Sequence, residues 1–377
     1  MAGIYLHIPF CKTRCIYCDF YSTTQSERKR AYVNALCKEL EMRRSYLKNE
    51  PIETIYFGGG TPSQLEEEDF KQIFATIESV YGLKEAIEVT LEANPDDLTQ
   101  DYVRMLSSLP FNRISMGVQT FNNDTLKLLN RRHNAAQAIE AVRTCREMGF
   151  QNISIDLIYG LPNETLEGWT ADLEQAIALK VEHLSAYHLT YEEGTPLYRM
   201  LKQNRVHEVE EECSVMFFDR LTERLSQAGY EQYEISNFCR PGFYSKHNSS
   251  YWKGTPYLGC GASAHSYNQS SREWNTAAID PYITGIESGH RIFEVEDLDV
   301  ATRYNDLIVT AMRTIWGLSL RQVREEFGES FLDYCLTMAQ PYILEGKLIQ
   351  TEETLRLTKE GILVSDAIMR DLLYIEE

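Results

Sequence analysis

The chain has 377 residues, enough for two or three domains at about 150 residues each. Hydrophobic residues make up 43% and charged residues 25%, an ordinary composition for a soluble globular protein whose core needs no disulfide or metal staple. The net charge of −19 argues against a nucleic-acid backbone as the main partner, because phosphate binding needs clustered Lys and Arg.

Along the chain, short β-rich runs alternate with amphipathic helical stretches. The strand expectations are Gly3–Ile8, Thr54–Phe57, Glu88–Leu91, Arg113–Val118, Ser154–Ile158 and Leu184–Leu189. Between and after them the periodicity predicts helices over Ser26–Lys48, Leu65–Tyr81, Thr99–Leu109, Ala135–Met148, Thr165–Leu179 and Glu208–Ala228. Six strand–helix units imply a parallel sheet with crossover helices, closed as a barrel or left open. Residues 1–230 are expected to form this α/β unit, and residues 231–280, rich in Tyr, Ser and Asn, a connecting segment. Residues 281–377 read as a mainly helical, winged-helix-like module: helices over Ala301–Thr314, Ser319–Phe327, Phe331–Glu345 and Lys359–Leu372, with a hairpin at Leu348–Gln350 and Leu355–Leu357. From residue 291 onward, 9 basic residues face 17 acidic ones, so this module is expected to be structural or partner-binding, with no nucleic acid.

No secretory segment is expected from Met1 to Phe10. The longest uncharged run, Gly254–Ser271, is too polar to span a membrane. A cytoplasmic setting with reduced thiols is the expectation. Cys37, Cys145, Cys213, Cys239, Cys260 and Cys335 then read as small buried hydrophobes. Cys11, Cys15 and Cys18 differ: three thiols within eight residues, spaced CxxxCxxC, follow the first strand. Thiolates so spaced suit one soft metal centre, and three ligands to a [4Fe–4S] cluster leave one iron open. A closed zinc site of Cys₃His type, using His7, is the alternative.

Polar and glycine-rich residues collect at the carboxyl ends of all six strands. Gly58-Gly59-Gly60-Thr61-Pro62 follows the second, Glu92-Ala93-Asn94-Pro95 the third and Gly117-Val118-Gln119 the fourth. The fifth carries Asp156 and ends at Gly160-Leu161-Pro162; the sixth carries Tyr187 and His188. That edge is where parallel α/β folds bind ligands, so one shared site is expected. No GxxxxGK[ST] phosphate loop is present.

The runs YLHIPFCKTRCIYCDF, YFGGGTP, EANP, GVQTF, DLIYGLP and GCGASAHS together resemble the radical S-adenosylmethionine (SAM) superfamily, within its oxygen-independent coproporphyrinogen III oxidase group. The resemblance covers nearly the whole chain and implies a full or partial (β/α)₆ barrel. It also implies a [4Fe–4S] cluster on Cys11, Cys15 and Cys18 whose open iron takes S-adenosylmethionine. By the same resemblance, Tyr5 and Phe20 flank the cluster, and Gly59, Gly60 and Thr61 meet the ligand's amino and carboxylate groups. Glu92, Gln119, Arg131 and Asp156 fall around its ribose, sulfonium and adenosine; Tyr187 and His265 are ligand-proximal. Within the group, the chain is more similar to haem chaperones than to the decarboxylating oxidase. Phe20 stands where the oxidase has a further cysteine, the first strand begins near residue 3 without the oxidase's extension, and KHNSSYW carries an HNxxYW motif. That branch implies haem binding, with His247 as the expected iron ligand, Tyr251 and Trp252 as stacking neighbours, and His188 or His265 as alternatives. His133, His183, His207 and His290 read as surface residues. The implied partners are haem and haem-dependent respiratory proteins. Homodimerisation and peripheral membrane contact stay open. The alternative is an oxidoreductase that decarboxylates coproporphyrinogen III.

Overall fold

The computed structural model describes residues 1–375. Six strands run parallel and in chain order: β1 (Ala2–Ile8), β2 (Ile52–Gly59), β3 (Glu88–Ala93), β4 (Arg113–Gln119), β5 (Ile153–Tyr159) and β6 (His183–His188). All six coincide with the expected runs to within two residues. Helices cross between them, each with an identifiable start. Glu66 and Asp69 form a capping box for Glu67–Val80; Thr99 caps Gln100–Ser107, Asn134 caps Ala135–Glu147 and Thr165 caps Leu166–Ala178.

The strands alternate strictly, which parallel strands covered on both faces usually do not. Outward residues such as Ile55, Phe57, Leu91, Ile114, Met116, Ile155, Leu157 and Leu184 pack under the helices in one continuous core. Inward positions are polar: Thr54 and Tyr56 on β2; Glu88, Thr90 and Glu92 on β3; Arg113 and Ser115 on β4; Ser154 and Asp156 on β5; His183 and Ser185 on β6. The inner face is therefore a polar lumen and the hydrophobic core lies outside it.

Among the described residues β1 and β6 do not pair, so the barrel is partial. Each edge is continued by later chain. β7 (Glu231–Glu234) and β8 (Asn237–Cys239) add to β6. Beyond β1 lie β9 (Tyr257–Cys260), β10 (His265–Tyr267), β11 (Ser271–Asn275) and β12 (Phe293–Asp297), giving a 12-stranded sheet. The segment 231–280, expected as a connector, thus supplies five strands, and the sheet runs on past residue 281. Backbone pairing with an already formed edge decides this, and local periodicity carries no trace of it.

A second core, from Tyr304 to Leu372, holds the C-terminal module. Its helices cover Val300–Ala311, Leu320–Phe327, Glu329–Leu344 and Ser365–Leu372. They pack on a small sheet of β13 (Leu318–Ser319), β14 (Leu348–Gln350) and β15 (Thr354–Leu357) in the order β13-β15-β14. The last expected helix is broken between Ile362 and Ser365. The module joins the barrel through Arg313 Nε on Glu234 Oε1 at 3.3 Å and the Ile315 N–H donating to the Tyr233 carbonyl. No helix among the described residues is long and apolar enough to cross a membrane.

Candidate functional site

At the carboxyl ends of the strands lies a cavity of about 610 Å³, a size suited to a small-molecule ligand. Residues from β2 to β6 reach it, which requires the sheet to curl. Of the residues expected at the site, Cys11, Cys15, Cys18, Phe20, Gly59, Gly60, Thr61, Glu92, Gln119, Arg131 and Asp156 all line it, as do Tyr187 and His188.

The cysteine loop is pinned at both ends. The Cys11 N–H donates to the Thr23 carbonyl and the Thr23 N–H to that of Pro9; farther on, the Ile16 N–H donates to Leu129 and its carbonyl accepts from Leu197. Side chains then tie the loop to three strand ends. Cys11 Sγ meets Thr61 Oγ1 at 3.3 Å, Asn94 Nδ2 donates to Thr61 Oγ1, Arg131 Nη2 donates to Asn94 Oδ1 at 2.7 Å, and Arg131 Nη1 to Cys15 Sγ at 3.3 Å. Burial lifts the Cys11 thiol above its ordinary range and pushes Cys18 up to about 11. Both are protonated in the metal-free chain, and metal binding has to displace those protons.

Among the described residues no three His, Cys, Asp or Glu side chains converge as on a single ion. His7 is also spoken for: Nε2 lies 2.9 Å from the Tyr21 carbonyl and Nδ1 3.1 Å from the Tyr5 hydroxyl. The Cys₃His zinc alternative therefore lacks a free fourth ligand. Three soft donors around a common cavity, one bonded to a guanidinium, fit a cluster with an accessible iron better than a closed four-ligand site.

The glycine turn is sterically required. Gly59 has a φ of +108°, and an added Cβ would fall 2.6 Å from the His7 ring. At Gly60 an added Cβ would meet the Pro9 backbone at 2.6 Å. Gln119, a non-glycine residue at φ +71°, sits where β4 slips register against β5, and this strained turn carries its amide to the cavity. Glu92 accepts from the Tyr56 hydroxyl at 2.7 Å and from the Gly59 N–H at 3.2 Å. Burial, foremost, raises the Glu92 carboxyl to about 7, against these two hydrogen bonds and with help from the nearby Asp156 charge. Burial likewise raises Asp156 to about 6, opposed by the Ser185 hydroxyl and then by the charges of Arg113 and Arg131. Ionised, the pair makes the cavity a cation site that also accepts from hydroxyls.

Several expected residues stand elsewhere. Tyr5 does not line the cavity; its ring stacks on Tyr56 at 6.2 Å and its hydroxyl meets His7. His247 is fully buried, with Nδ1 2.8 Å from Thr54 Oγ1 and Nε2 2.8 Å from the Tyr251 hydroxyl. Burial holds it neutral, down to about 3. Both nitrogens are hydrogen-bonded within the protein, and Asn248 of the same motif lines the cavity. His133 and His183, read as surface residues, are buried as well: His133 Nε2 lies 3.0 Å from the Val118 carbonyl, and His183 lies between Ser154 and Tyr233. His207 and His290 are exposed as expected. His188 and His265 are exposed; His188 lines the cavity and bonds Ser214 Oγ, and His265 stacks on Trp274 at 5.8 Å. Of the six scattered cysteines, five are buried and Cys213 is half-buried. Sequence reasoning missed Tyr56, Ser115 and Ser185. Their signal was present in the alternation of polar residues along each strand.

A three-cysteine loop after the first of six parallel strands, facing a glycine turn and strand-end carboxylates, is the arrangement of the radical SAM class of proteins. Residues 5–176 match the radical SAM superfamily and residues 298–364 the HemN C-terminal domain. The solved structure of coproporphyrinogen III oxidase HemN from Escherichia coli superposes with a TM-score of 0.87, covering 99% of this chain and 90% of that one, at 23% identity. At that identity the likeness shows the fold. Two full-length relatives narrow the family. The heme chaperone HemW of Bacillus subtilis is 33% identical over 98% of both chains. The heme chaperone HemW of Haemophilus influenzae is 37% identical over 100% of this chain and 98% of that one. The chain belongs to the HemW family of the radical SAM superfamily.

Proposed function

We propose that this protein is a haem chaperone. It would bind a [4Fe–4S] cluster and S-adenosylmethionine at the barrel cavity, take up haem, and hand it to haem-dependent respiratory proteins. The observation that carries the reading is the single cavity shared by the three cysteines, the Gly59–Thr61 turn and the strand-end polar residues, in a chain with full-length similarity to HemW relatives. Cys11, Cys15 and Cys18 would hold the cluster, with Arg131 and Thr61 bonding two of the sulfurs and tuning their charge. A cluster of this kind supplies one-electron reduction next to the bound sulfonium ligand. Gly59 and Gly60 let backbone groups approach that ligand's amino-acid end. Glu92 and Asp156 face its positive charge and ribose hydroxyls, while Gln119 and Arg131 serve its carboxylate and polar groups. The exposed imidazoles His188 and His265 are the proposed haem ligands in place of His247.

The test is an anaerobic haem titration of the cluster-reconstituted protein, followed by its Soret band, in the wild type and in His188→Ala, His265→Ala and His247→Ala. A stoichiometric shifted band, kept in His247→Ala and lost in one of the other two, is the expected result. No shift in the wild type would overturn the haem reading. Conversion of coproporphyrinogen III to protoporphyrinogen with S-adenosylmethionine and reductant would replace it with the oxidase. About four irons and four sulfides per chain are expected after reconstitution.

A further inference from the structure

Below the cavity floor, on the inward face of β4, lies Arg113. It is 1% exposed. Its Nε and Nη1 have no hydrogen-bond partner among protein atoms, and the neighbouring Thr90 Oγ1, directly across on β3, has none either. Buried guanidinium nitrogens without partners are costly, because their desolvation goes uncompensated. Arg113 stands among the inward, polar positions of the sheet, where a buried water is the remaining partner for those nitrogens. It thus brings a charge to the lumen with two of its three nitrogens unbonded.

The groups that feel this charge surround it on every side. Above it, on β3 and β5, stand Glu92 and Asp156; Glu88, on β3, is committed to the backbone N–H groups of Lys246 and His247. From β6 and the Lys246–Trp252 helix come His183 and His247, both held neutral by burial and by Arg113, and from β7 and β8 come Tyr233 and Cys239, both kept protonated by burial. Tyr5 and Tyr56 on β1 and β2 are un-ionised. The other cation, Arg131, is already bonded to Asn94, Gly117 and Cys15. Arg113 is therefore the uncommitted positive charge under the two cavity carboxylates.

We propose that Arg113 is a positioning residue: its guanidinium beneath the cavity, with two nitrogens unbonded, favours the charged forms of Glu92 and Asp156, so that the cavity takes a cationic adenosyl ligand near neutral pH. The ligand's identity rests on the reading above; the effect on the carboxylates does not. Both carboxyls are already lifted by burial to about 7 and about 6, and Arg113 opposes that lift in each. Removing it moves both upward.

The test uses the full-length, cluster-reconstituted protein. Infrared titration reads the two carboxyl groups, assigned with Glu92→Gln and Asp156→Asn. In Arg113→Met both midpoints should rise by about one pH unit or more, and in Arg113→Lys they should stay near wild type. Equilibrium dialysis with S-adenosylmethionine should show affinity in Arg113→Met reduced about tenfold at pH 7 and recovering as the pH is raised. Where Arg113→Met does not fold, Arg113→Gln, which keeps a polar side chain in the lumen without the charge, is read for the same midpoints. Unmoved midpoints in either folded variant overturn the proposal. A wild type that binds no S-adenosylmethionine at any pH overturns the cofactor reading, while the infrared midpoints still decide the role of Arg113.

Discussion

Gly60→Ala isolates what the glycine turn does. The φ of Gly60 is not in the left-handed region, so alanine is free of backbone strain there and any effect is steric. The new methyl would lie 2.6 Å from the Pro9 carbonyl carbon, 2.7 Å from the Pro9 oxygen and 3.0 Å from the Ile8 oxygen. All three are backbone atoms, so no side-chain rotation relieves the clash. The Gly60 N–H also donates to the Ile8 carbonyl at 2.9 Å, tying the two segments together. Relief therefore means moving Ile8 and Pro9, at the end of β1 and just before Cys11, away from the end of β2. Overpacking of this kind costs about 1–3 kcal/mol, against a total stability of about 5–15 kcal/mol. The variant should fold with a lowered melting temperature, yet lose most of its iron on anaerobic reconstitution. Gly149→Ala is the control: φ there is +98° and nothing lies within 4 Å, so it should cost about 1–2 kcal/mol and keep full iron content. A Gly60→Ala protein with wild-type iron and S-adenosylmethionine binding would refute the claim that close backbone approach seats the cysteine loop.

Three further outcomes follow from the same geometry. Burial raises the Glu92 carboxyl from 4.5 to about 7, so its stabilising contribution is complete below pH 4.5 and is lost as pH rises through 7. Denaturation of the ligand-free protein should therefore show Glu92→Gln more stable than wild type at pH 8, by up to roughly 3 kcal/mol, with the difference gone at pH 4.5 and S-adenosylmethionine binding weakened at pH 8. His247→Ala leaves a cavity and strands the Thr54 and Tyr251 hydroxyls, so chemical denaturation should show a loss of about 2–4 kcal/mol while the haem-shifted Soret band persists. Arg131→Met removes the cation bonded to Cys15, so electrochemical titration should find the reconstituted cluster harder to reduce, and dialysis should show S-adenosylmethionine bound about tenfold or more weakly. An unchanged potential would remove Arg131 from the cluster's surroundings.

The local pattern of this chain was enough for the six parallel strands, their helices and the three-cysteine loop, because each depends on alternation, helical period and short spacing. The polar strand ends also announced a shared site, since in a parallel sheet all carboxyl ends share one edge by connectivity. Tertiary structure decided what local pattern does not encode. Six strands within residues 231–297 join the sheet because the free edges of β1 and β6 offer unpaired backbone to a distant segment. The polar residues of the strands face inward because the sheet curls with its apolar face under the helices; that placement buries Arg113 without a partner and sets Glu92 and Asp156 against it. His247 read as a haem ligand from its motif, and the fold buries it between Thr54 and Tyr251. A side chain's type is written in the sequence, but its exposure and its partners depend on what the rest of the chain packs around it.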